Sequence, residues 1–136
     1  MKIDSKELIS KAILAREASY SPYSGISVGA ALLTKSGKVY LGNNIENASY
    51  SPTICAERVA FFKAISEGER DFAAIAIAGG RAGEVSQASF PPCGVCRQVM
   101  SEFCDKDFLV MWGNGEKITE RTLGEILPDS FDKDNL

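Results

Sequence analysis

The feature that most limits how this chain can fold is the run Phe72-Ala73-Ala74-Ile75-Ala76-Ile77-Ala78, apolar at every position. A strand with one wet face alternates, so a run without alternation belongs to a strand covered on both faces. It is also far too short to cross a bilayer. Covering both faces takes helices, and helical spacing lies on either side of the run. Ile3, Leu8, Ile9, Ala12, Ile13 and Ala18 recur at that spacing, with Asp4 and Glu7 three apart as a capping start. A second helix is expected from about Thr53, as its N-cap, to Glu67, with Gly68 as the stop. Pro91-Pro92 opens a third at its first position, and Thr122 to Leu127 forms a short fourth, closed by Pro128. Strands are expected over Ile26–Thr34, returning through the Lys35–Lys38 turn as Val39–Asn43. Further strands are expected over Ala73–Ala78, Phe108–Trp112 and, at an edge, Lys117–Arg121, with Gly79 to Phe90 a loop. Helices between buried strands make an α/β layered fold, and 136 residues suit one domain over 1–136.

Charge excludes several partners. The net charge is −3, and no two Lys or Arg residues are adjacent, so nothing in the chain resembles a track for nucleic-acid phosphates or an anionic membrane. Met1 to Ser10 mixes charged and apolar residues without a hydrophobic signal segment, and a cytoplasmic protein is the expectation. The chain has no histidine. That removes Ser-His and Cys-His nucleophile pairs and every metal site that needs imidazole. Proton transfer near neutral pH is left to a carboxylate, Lys, Tyr or Cys.

Four cysteines remain, Cys55, Cys93, Cys96 and Cys104. Cys93-Gly94-Val95-Cys96 stands at an expected helix start, where unpaired N–H groups and the helix dipole favour thiolates. At i and i+3 the two sulfurs share a face, which suits a zinc pair, a thioredoxin-like redox pair or a coincidence in a small-residue turn. Cys55 opens a second helix and would make a three-thiolate site, leaving a zinc ion one position for water. Cys104 lies eleven residues beyond Cys93, roughly 16 Å along a helix, too far for one metal. It reads as a buried apolar thiol.

Glu57 follows Cys55 by two residues. Within a helix the two would point about 200° apart, but at a first turn both reach the space over the helix end. A solvated first-turn glutamate is the plain alternative; beside an open zinc, a proton carrier is the better reading. Arg58 stands one turn from Cys55, where a guanidinium would offset the excess negative charge of three thiolates.

Cys55-Ala56-Glu57-Arg58, followed by Pro92-Cys93-Gly94-Val95-Cys96-Arg97-Gln98-Val99, resembles the zinc site of the small homotetrameric cytidine deaminases. Pro22-Tyr23-Ser24, Val28–Leu33, Asn44–Tyr50, Leu127-Pro128 and Phe131 are similar to that family in the same order, over nearly the whole chain. The resemblance implies a three-layer α/β/α sandwich around a mixed sheet of about five strands. It implies one Zn²⁺ per chain on Cys55, Cys93 and Cys96, with Glu57 moving protons between water, N3 of the base and the departing ammonia. The products would be uridine and 2′-deoxyuridine from cytidine and 2′-deoxycytidine, a step of pyrimidine salvage. Asn44 and Glu46 resemble the ribose-binding pair, the Ala56 N–H a contact to the base, and Phe131 an aromatic reaching a neighbouring subunit's pocket in a homotetramer.

Two departures from the family stand out. Ile26 occupies a position where phenylalanine commonly lies against the base, and the Gly79–Pro92 loop is a few residues longer. Two alternatives remain: a thiol-disulfide oxidoreductase using Cys93 and Cys96, which leaves Cys55, Glu57 and the Asn44–Glu46 loop unexplained, and a deaminase of a modified cytosine nucleoside.

Overall fold

Helix α1 (Ser5–Ala15) begins where Asp4 accepts a hydrogen bond from the Glu7 N–H at 3.1 Å, as the sequence spacing predicts. It buries Leu8, Ile9, Ala12 and Ala15 and ends in a single 3₁₀ turn, Arg16–Ala18. Strands β1 (Ile26–Thr34) and β2 (Val39–Asn43) have the expected bounds and pair antiparallel. They are followed by α2 (Ala56–Ser66), β3 (Phe72–Arg81), α3 (Gly94–Phe103), β4 (Leu109–Gly113), β5 (Ile118–Thr122) and α4 (Leu123–Ile126). The computed structural model describes residues 1–136.

The sheet order is β2-β1-β3-β4-β5, parallel only between β3 and β4. This is the mixed five-stranded sheet the resemblance implies. Alternation along the strands sorts the core into two layers. Leu8, Ile9 and Ala12 of α1 pack with Ala31, Ala74, Ala76 and Met111. On the other face, α2 and α3 pack through Ala56, Ala60, Phe61, Cys96 and Met100 against Val28, Leu32, Ile75, Ile77 and Trp112. The apolar run is central, and β3 is buried on both faces.

Three boundaries differ from the sequence expectation by more than one residue. Helix α2 is capped by Cys55, not Thr53, whose hydroxyl instead accepts from the Asn47 N–H at 3.0 Å. Pro91 and Pro92 precede α3, which is capped by Cys93 and starts at Gly94. Strand β3 runs on through Gly79, Gly80 and Arg81, because the antiparallel ladder with β1 continues to the Ile26–Arg81 pair. Gly68, by contrast, stops α2 as expected, with φ +97 and the Glu69 N–H reaching back to the Ala64 carbonyl at 3.0 Å.

Candidate active site

The start of α2 rests directly on β2. A Cβ at Gly42 would lie 2.2 Å from the Ala56 carbonyl oxygen, so only glycine lets the helix end approach this closely. The thiols of Cys55 and Cys93 sit at the two N-caps in extended backbone, and neither caps its own helix. They face each other instead, with sulfurs 3.7 Å apart. Cys96, one turn into α3, lies 3.5 Å from Cys93, and all three sulfurs fall within 4.8 Å of one another. Tetrahedral zinc with bonds of about 2.3 Å holds its sulfur ligands about 3.8 Å apart. The spacing and softness of this donor set fit zinc, and all four cysteines are free thiols. Cys104 is the C-cap at the far end of α3 and takes no part. Burial pushes its thiol up to about 12.

The charges around the three sulfurs are graded. Hydrogen bonding from Cys96, and then from Arg58, lowers the Cys55 thiol to about 5, while its hydrogen bond to Cys55, and then burial, shift Cys96 upward. Arg58 Nη2 donates to Cys55 Sγ at 3.5 Å. Burial opposes the Arg58 charge, yet its contacts with Cys55 and Cys96 outweigh burial and raise its pKa. The Arg58 Nε is buried without a partner, a further donor held in this region. Glu57, 4% exposed, is raised to about 7 by burial and then by the Cys55 charge. A carboxyl near neutrality can both accept and deliver a proton.

The remaining candidates divide. Ile26 is half-buried against the same apolar cluster as Ala56, Cys55 and Cys96. The Ala56 N–H, first of α2, makes no hydrogen bond. Asn44 is buried and largely occupied: Oδ1 accepts from Val28 N at 2.9 Å and from Ser19 Oγ, while Nδ2 donates to Ile26 O at 2.9 Å. Glu46 accepts from Tyr23 N at 2.9 Å, Ser24 N at 3.1 Å and the Ser24 hydroxyl, which holds its carboxyl below the usual range. Glu46 also lines a cleft of about 310 Å³ with Tyr23, Ser24, Tyr50 and Thr53. The loop that carries Glu46 is tied to the start of α2, because Ile45 pairs with Ile54, the residue before Cys55. Phe131 is 63% exposed, its carbonyl accepting from Gln98 Nε2 on α3 at 2.7 Å.

One residue escaped the sequence reading. Arg97 Nε donates to Pro92 O and Nη1 to Ile126 O, both at 2.8 Å, tying the approach to Cys93 to the end of α4. An arginine directly after a ligand pair was the available signal.

The family model for the cytidine and deoxycytidylate deaminase zinc-binding region matches residues 2–112, a span that holds the three cysteines and Glu57. The chain belongs to the cytidine deaminase family. It is 51% identical over 135 residues to a cytidine deaminase of Halalkalibacterium halodurans, covering 98% of both chains. It is 47% identical to one from Sporosarcina psychrophila, covering 98% of this chain and 96% of that protein. A crystal structure of cytidine deaminase from Burkholderia pseudomallei superposes with a TM-score of 0.84 at 43% identity, covering 95% of this chain and all of the other. Membership of this deaminase family accounts for Cys55 together with the Cys93–Cys96 pair. The oxidoreductase alternative accounts only for the pair.

Proposed function

We propose that this chain is a zinc-dependent enzyme that converts cytidine and 2′-deoxycytidine, with water, to uridine and 2′-deoxyuridine plus ammonia. The observation that carries the reading is the convergence of three thiols from two helix starts beside a buried glutamate. Cys55, Cys93 and Cys96 would hold the metal, which when bound would supply Lewis acidity toward the water that attacks C4 of the base. Glu57 accepts a proton from the attacking water and delivers it to N3, then takes the second proton from the new C4 hydroxyl and passes it to the amino group, which leaves as ammonia. Desolvation keeps its carboxyl close enough to neutrality to work in both directions. Arg58 offsets the thiolate charge, so the site keeps its pull on an electron pair. The Ala56 N–H meets the base, and Ile26 packs against it. Glu46 binds a ribose hydroxyl from the cleft wall, and Asn44 holds the start of β1 in register while offering its remaining N–H.

The same reading makes residues 1–136 one catalytic domain, acting in the cytoplasm. No helix is long and apolar enough to cross a membrane. It also makes the enzyme a homotetramer in which Phe131, exposed on its own chain, completes a neighbour's pocket. Loss of cytidine absorbance on conversion to uridine, abolished by a chelator and restored by zinc, is the expected result. Zinc-loaded protein without turnover on cytidine or deoxycytidine would refute the activity. Mixed and reassembled Phe131→Ala and Glu57→Gln chains should partly restore each other; strictly additive loss would place Phe131 in its own subunit's machinery.

A further inference from the structure

Between β3 and α3 the chain runs through residues 82–93 with neither helix nor strand. At its end it must set the Cys93 sulfur 3.7 Å from that of Cys55. The first half of the connection is well tied. Arg16, buried at the end of α1, donates from Nη2 to Arg81 O at 3.0 Å and from Nη1 to Glu84 O at 2.9 Å. Gln87 N donates to Gly79 O at 2.8 Å, and Asn114 Nδ2 to Ser86 O at 3.4 Å. Beyond Gln87 the ties stop, and no hydrogen bond involves residues 88–91. The next fixed point is the Pro92 carbonyl, held by Arg97.

Within that gap one side chain is anchored. The half-buried ring of Phe90 packs on the apolar cluster beneath α2 and α3. It lies over the place where Gly79 has no side chain: a Cβ there would come within 2.5, 2.5 and 2.7 Å of three ring carbons. Pro91 and Pro92 follow at once, each with φ fixed by its ring and each holding the preceding residue extended. Such a segment advances about 3.1 Å per residue and bends little, so a displacement at one end is passed to the other.

We propose that Phe90 is a positioning residue for the metal centre: seated on Gly79 and joined to Cys93 by the stiff Pro91-Pro92 strut, its ring sets where that sulfur is presented. The inference rests on the metal-dependent reading of the site. A ring that merely filled apolar space would affect stability and leave the grip on metal unchanged.

The test is the rate at which zinc-loaded protein surrenders its metal to a chromogenic chelator, which needs no nucleoside. Gly79→Ala leaves every apolar atom in place but pushes the ring away, and Phe90→Leu removes the ring while keeping apolar volume. Each should release zinc at least tenfold faster than the parent, with circular dichroism unchanged. Val85→Ala, in the same connection and 85% exposed, should release like the parent. The double variant should be no faster than Phe90→Leu alone, because the added methyl then meets no ring. Release within twofold of the parent in both single variants would overturn the proposal, as would full additivity in the double variant. Should the parent bind zinc and yet deaminate neither nucleoside, the activity falls while this result stands; normal release in active variants sinks only the role of Phe90.

Discussion

Helices α2 and α3 each begin with a cysteine at the N-cap, and the two thiols face one another. Behind that common start they diverge. In α2 the first residue, Ala56, is fully buried on Gly42, and the next, Glu57, is 4% exposed. In α3 the first residue is Gly94 and the next, Val95, is 58% exposed, after a proline lead-in rather than a strand seat. One turn in, α2 offers the cation Arg58 and α3 a further thiol, Cys96. Burial is what raises the carboxyl of a first-turn glutamate to about 7. On the proposed reading the helix seated on a strand does the proton chemistry, and the loop-fed helix supplies two of the three thiols.

The largest effects should strike both helix starts alike. Cys55→Ala, Cys93→Ala and Cys96→Ala should each lose zinc and all measurable turnover, while Cys104→Ala keeps both; metal analysis of the four proteins decides. Zinc loss in the Cys104 variant would redraw the centre. Next in size is the contrast between the second helical positions. Glu57→Gln should keep zinc and fold but lose 10²–10⁴-fold in kcat, the usual contribution of general acid-base catalysis. Val95→Ala, its counterpart in α3, should stay within a factor of two. A Glu57 variant within tenfold of the parent would show that another group moves the protons. Gly42→Ala probes the strand seat itself. A Cβ 2.2 Å from the Ala56 carbonyl overpacks the contact, and about 1–3 kcal/mol of stability should be lost in thermal or denaturant unfolding. An unchanged midpoint would mean that the start of α2 is free to shift. The smallest change is expected at Ile26. Ile26→Phe should lower KM for cytidine severalfold with kcat within a small factor, since stacking acts on ground and transition states alike. A raised KM would mean that neighbouring residues have already filled the space.

Much of this was legible in the residues. The strands β1 and β2, the Asp4 cap and the Gly68 stop follow from apolar patterning and turn chemistry, which act locally. The two misread helix starts share one cause: capping rules favour Thr53 and a proline at the first turn, whereas the caps present are thiols. Cysteine is a poor cap, and it stands there because its sulfur points at a partner from another helix. Gly79 and Gly80 read as loop because glycine weakens strands. In the fold they are bare patches, one under the Phe90 ring and the other 3.4 Å from the Arg16 guanidinium, measured from where a Cβ would stand. Three thiols and a glutamate announced the metal chemistry, but the hydrogen bonds that occupy Asn44 and Glu46 depend on a turn folded back from distant sequence.

Cys55 belongs to the connection before β3, and Cys93 and Cys96 to the one after it, so a metal on all three closes a ring of chain around the middle strand of the sheet. Cys55 and Cys93 are 38 residues apart. A permanent cross-link over that span would take roughly 4 kcal/mol of chain entropy from the unfolded state. A metal ion is a cross-link that obeys mass action. Above the dissociation constant, each tenfold rise in free zinc adds about 1.4 kcal/mol to the unfolding free energy. Scarcity thus acts twice, withdrawing the reagent from the active site and the clasp from the fold in one event.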